Sequence, residues 1–87
     1  MATQNITITN KGYQDLETVG DITLTANSTY TISARGAGVC EVVIADTQPT
    51  NNFLGHIAKA DENFGFTYTG ETIWVKCDFL PTTIVIS

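Results

Sequence analysis

Positive charge is scarce in this chain. The four basic residues, Lys11, Arg35, Lys59 and Lys76, are scattered among 87 residues and face nine acids, for a net charge of -5. Nucleic-acid binding by counterion release needs clustered lysine and arginine, so no nucleic-acid partner is expected. Charge of either sign makes up only 15% of the residues, which leaves uncharged polar side chains, threonine above all, to cover the surface. Long apolar runs are missing as well. No stretch approaches the roughly 20 residues of a membrane helix, and the opening MATQNITITNKG lacks the basic-then-apolar order of a secretory signal. The expectation is a soluble chain with no membrane partner, retained in the compartment where it is made.

Chemistry-bearing residues are few. His56 is the single histidine; with no second histidine or acid cluster nearby, it is expected to be a hydrogen-bonded structural residue. Asp61 and Glu62 are adjacent, point apart on an extended chain, and read as a turn. Glu41 and Asp46 are the carboxylates that could flank a sugar, but a chain this short buries only about 60 to 65% of its unfolded surface and has little room for a groove. Gly36 and Gly38 in ARGAGVC lack the helix and lysine of a phosphate loop and read as a strand-connecting turn. The sequence therefore predicts no enzyme, no catalytic residue, no metal and no cofactor. Cysteine is limited to Cys40 and Cys77. In a reducing compartment they are expected as two buried free thiols, although a bridge between them would add about 4 kcal/mol.

What the chain has in quantity is period-two alternation. Ile6 and Ile8 alternate with threonine in NITIT, Ile22 and Leu24 in DITLT, and Tyr30 and Ile32 in TYTIS. Each apolar set can face a core while a threonine row faces away. CEVVIAD carries apolar residues in both phases and reads as a central strand covered on both faces. FLGHIAKA, NFGFTYT, ETIWVKCD and TTIVIS follow, with turn residues between the runs. The prediction is one all-β domain over residues 1–87, a compact antiparallel β-sandwich or small barrel of about eight short strands, with DLETV a possible ninth. The T-x-T pairs, such as Thr7/Thr9 and Thr29/Thr31, resemble ice-binding arrays. Without the short repeat that keeps such rows in register, they read as ordinary strand formers.

The last two runs are apolar on both faces. Trp74 falls opposite Ile73, Val75 and Cys77, with Lys76 in its own phase, and Val85 opposes Ile84 and Ile86. A neighbouring subunit is the simplest cover for the second face, so Trp74, Lys76 and Val85 are the candidate partner or subunit contacts, and a homo-oligomer, most simply a trimer, is expected. Trp74 could instead pack at the sheet margin, or stack on a sugar with Tyr30, Tyr68 or Tyr13 as an exposed platform.

At GETIWVKCD followed by TTIVIS, the chain resembles the closing hairpin of small all-β virion proteins of tailed bacteriophages, and ITLTANSTYTISARGAGVCEVVIA is similar in manner. The resemblance covers most of residues 20 to 87; Cys77 and the FLP turn depart from its Thr/Gly-rich form. It implies a structural role as a capsid decoration (cement) protein or a small tail or fibre component. Such a protein is made in the bacterial host cytoplasm, is carried in the virion, and binds a capsid or tail protein as a symmetric oligomer. A carbohydrate- or receptor-binding module of a tail fibre is the alternative.

Overall fold

Seven of the alternating runs form strands, and a two-residue strand outside them makes eight, with one short helix. A computed structural model of the chain describes residues 3–87. Its elements are β1 (Gln4–Ile8), β2 (Gln14–Asp15), α1 (Leu16–Gly20), β3 (Thr29–Ala34), β4 (Val39–Ile44), β5 (His56–Lys59), β6 (Phe64–Thr67), β7 (Ile73–Cys77) and β8 (Thr82–Ile86). They form two four-stranded antiparallel sheets, β1-β8-β3-β6 and β2-β7-β4-β5. The first strand pairs with the eighth, the second with the seventh, the third with the sixth and the fourth with the fifth. That nesting is the strand order of a jelly roll, a β-sandwich in which the two halves of the chain roll up together.

The core lies between the sheets and is built from the apolar phases expected. Ile6, Ile8, Ile32, Ile84 and Ile86 descend from one sheet, and Cys40, Val42, Ala58, Ile73, Val75 and Cys77 from the other, all buried. On the outer face of the first sheet the threonines hydrogen-bond across strands, Thr7 with Thr83 at 3.1 Å and Thr29 with Thr67 at 3.2 Å. β4 is interior to its sheet and covered on both faces as predicted, since Glu41 and Val43 of its outer face are also buried.

Two expected strands are absent. DLETV is the helix α1, because Asp15 caps it by accepting the Glu17 N–H at 3.0 Å and Asp21 closes it with a left-handed φ of 51°. DITLT joins no sheet. Its donors are taken elsewhere: the Ile22 N–H donates to the Glu17 carbonyl at 3.1 Å, the Leu24 N–H to the Glu17 carboxylate at 2.9 Å and the Thr25 N–H to the Tyr30 hydroxyl at 2.8 Å. Leu24 still reaches the core. Alternation reports which side chains go inward, whereas pairing depends on where the backbone donors end up.

Cys40 and Cys77 face each other in the β4–β7 ladder and are joined as a disulfide, with 4.1 Å between Cα atoms. This corrects the expectation of two free thiols. The pair occupies a non-hydrogen-bonded position, the neighbouring Asp78 N–H donating to the Val39 carbonyl at 3.0 Å, and at such positions antiparallel strands approach most closely. Register places the sulfurs together, and register is not visible in cysteine spacing.

Candidate functional site

The outer face of the second sheet is where apolar and polar groups of this chain converge. Trp74 and Lys76 of β7 stand there, each half-buried, whereas Val85 of β8 lies on the outer face of the other sheet, paired with Asn5 and Ser33. The three predicted contact residues are therefore divided between opposite sides of the sandwich.

Much of the cover over β7 comes from the chain itself. The loop between β4 and β5 folds back over the sheet, held by hydrogen bonds along its length that include Gln48 Nε2 donating to the Tyr13 carbonyl at 2.7 Å and the Ala45 N–H donating to the Thr72 carbonyl at 3.0 Å. The Trp74 indole N–H donates to the Ala45 carbonyl at 2.8 Å, Lys76 Nζ to the Asn51 carbonyl at 2.7 Å, the Tyr13 hydroxyl to the Phe53 carbonyl at 2.7 Å, and the Gly55 N–H to Glu41 Oε1 at 3.0 Å. Beneath the loop Lys76 Nζ is 3.3 Å from Glu41 Oε2, with side chains only 16% and 8% exposed, and lies 5.1 Å from the centre of the Tyr13 ring. The loop sits so low at Gly55 that a Cβ there would meet the Val42 carbonyl oxygen at 2.8 Å and Val43 Cγ2 at 2.9 Å. Only glycine fits that approach.

Desolvation pushes the Tyr13 phenol up from its usual range, and the charges of Glu41 and Asp78 push it further. Desolvation also raises the Asp78 carboxyl, helped by the charge of Glu41 and a hydrogen bond with it and opposed by Lys76. Among the described residues, every buried side-chain nitrogen or oxygen has a partner, and no group of three His, Cys, Asp or Glu gathers as a metal site. Glu41 is thus a structural partner of Lys76, while Asp46 is exposed on the loop.

Anchored from below, the loop presents its apolar residues outward. Leu54 is 83% exposed and Phe53 52%; with Ile44 they line a shallow groove of about 320 Å³ that ends at His56. Ile57, 41% exposed, pairs with Glu41 on the outer face of the sheet, whereas Ile44 shares the inward phase of its partner Ile73 and is exposed at the strand end. Sequence reasoning read FLGHIAKA as one strand and so missed the groove; a Phe-Leu pair directly after the turn-rich TQPTNN was the signal present. His56 is exposed and positioned by stacking on Phe64 at 4.7 Å; no hydrogen bond of its imidazole occurs among the described residues. The aromatic platform also fails to form. Tyr13 is buried under the loop, Tyr30 is in the core, and Tyr68 is half-buried with its hydroxyl on Glu17 at 3.2 Å.

A second concavity, of about 520 Å³, opens at one end of the sandwich between the turn Arg35–Gly38 and the turn that carries Phe79 and Pro81. Comparison with protein-family models, curated proteins and solved structures returned no match to the chain.

Proposed function

We propose that this chain is a non-enzymatic structural protein of a phage virion, a capsid decoration protein that acts by protein contact as a symmetric oligomer. The observation that carries the reading is the ledge of Phe53 and Leu54, large apolar side chains held outward by a fixed loop and met by Ile44 in one groove. A surface with so few charges around such a ledge favours association. The first partner is a second copy, giving a trimer through Phe53 and Leu54; the assembled particle then docks on the capsid shell. The Cys40–Cys77 bridge suits a particle that leaves the reducing cytoplasm.

The rival is a glycan- or receptor-binding module of a tail fibre, and the groove beside Arg35 and Phe79 is the feature that favours it. Antibody labelling of intact virions separates the two. Decoration requires label spread over the capsid shell; label confined to the tail tip would favour the rival, and virions left unlabelled would refute both. Phe53→Ser with Leu54→Ser should reduce the oligomer to single chains while leaving the fold intact, because neither side chain belongs to the core.

A further inference from the structure

We infer that the groove between the two turns at the end of the sandwich is a binding site for a carboxylated sugar of the hexuronate class. The groove shares no residue with the ledge, and the inference deepens the glycan-binding alternative that rests on this same groove.

The walls are pre-formed. The Arg35 N–H donates to the Thr83 carbonyl at 2.9 Å, the Gly38 N–H closes its turn on the Arg35 carbonyl at 3.2 Å, and the Thr82 hydroxyl donates to the Phe79 carbonyl. Gly38 lies so close to the Thr82 methyl that a Cβ at this position would clash with it. Both turns are thereby fixed against each other, and Phe79 is held outward, 65% exposed.

Unpaired donors and a positive charge gather on these walls. Arg35 is exposed, and among the described residues its guanidinium makes neither an ion pair nor a hydrogen bond. The backbone N–H groups of Gly36 and Ala37 likewise find no acceptor among the described residues. The nearby carbonyls of Arg35, Phe79 and Thr83 each already accept a hydrogen bond. The groove offers donors, positive charge and an open aromatic face. A sugar acid brings the complement: a carboxylate for the planar guanidinium fork, ring and hydroxyl oxygens for the turn amides, and an apolar C–H face to lie on the Phe79 ring. Arg35 and Phe79 line the same groove, and in a hexuronate the carboxylate projects from the rim of the ring, apart from the C–H face that stacks. The volume of about 520 Å³ is within the usual small-ligand range of roughly 300 to 1,000 Å³. For one sugar in so open a site a dissociation constant of about 1 mM is expected.

The test is an amide NMR titration of the full chain with methyl glucuronoside, with methyl glucoside as the same ring lacking the carboxylate, with acetate, and with a tripeptide bearing a free C-terminal carboxylate. Expected are shifts at Gly36, Ala37 and Phe79 with the glucuronoside, and at least ten-fold weaker binding of the other three. Arg35→Gln, an exposed change, should lose at least ten-fold in affinity. Phe79→Ala should lose several-fold, and Leu54→Ser, at the ledge, should leave binding unchanged. Equal binding of glucoside and glucuronoside, preference for the tripeptide, shifts located elsewhere, or an unaffected Arg35→Gln variant would each overturn the assignment.

Discussion

Lys76 shows how one side chain can do two jobs. Its ammonium offsets the buried Glu41 carboxylate and also ties the loop at Asn51. Breaking a buried ion pair on one side leaves the other charge uncompensated, at a cost of about 3 kcal/mol, whereas removing both charges costs far less. Lys76→Met should therefore destabilise the fold by about that amount in urea unfolding. Combining it with Glu41→Gln, which still accepts from Gly55, should recover most of the loss. Simple additivity of the two changes would show that the pair is not coupled. Asp78 gives a prediction of opposite sign. Its folded-state carboxyl is raised from the ordinary 3.8 by desolvation and by Glu41, so the folded state holds that proton more tightly than the unfolded one, and stability is lost as pH rises through the folded value. Asp78→Asn should raise the melting temperature near neutral pH and leave it unchanged below the ordinary carboxyl value; a gain that persists in acid would remove this explanation.

The disulfide and the terminal strand matter at the scale of whole elements. Cys40 and Cys77 are 37 residues apart in sequence, and closing a loop of that length stabilises by about 4 kcal/mol in the chain-entropy model. Thiol titration of the unfolded, unreduced protein should find no free thiol, and reduction should lower the melting temperature; two titratable thiols would contradict the bridge. β8 is interior to its sheet, hydrogen-bonded to β1 on one side and β3 on the other. Deleting Thr82 to Ser87 removes the buried Ile84 and Ile86, about 5 kcal/mol together with Val85, and leaves β1 without a neighbour. That loss rivals the stability of a small domain, so the truncated chain should show no dispersed NMR spectrum. A folded product would mean the sheet can close without its second strand.

For the whole molecule, the nested pairing joins the two ends of the chain in one sheet and brings the β3–β4 and β7–β8 turns to one end of the sandwich. It also leaves the β4–β5 loop free to fold over the second sheet and display its ledge. Light scattering at micromolar concentration should give the mass of three chains, and the Phe53→Ser, Leu54→Ser protein the mass of one. A wild-type mass of a single 9.4 kDa chain that persists on concentration would leave the ledge without its proposed partner.

Alternation of apolar and polar residues by itself determined the β class, the inward face of nearly every strand, and the two-sided burial of β4, because the period of side-chain direction along a strand is a local property. Gly36 and Gly38 were legible as a turn for the same reason. What only the tertiary structure decided depends on partners distant in sequence. Leu24 points inward as its phase requires, yet its segment joins no sheet because Glu17 and Tyr30 take its backbone donors. Trp74 and Val85 look alike in phase but belong to opposite sheets. The sulfurs of Cys40 and Cys77, the Glu41–Lys76 pair and the groove beside Arg35 all arise from register and from which turns share an end of the sandwich. Those follow from how the two halves of the chain roll together, which no local pattern encodes.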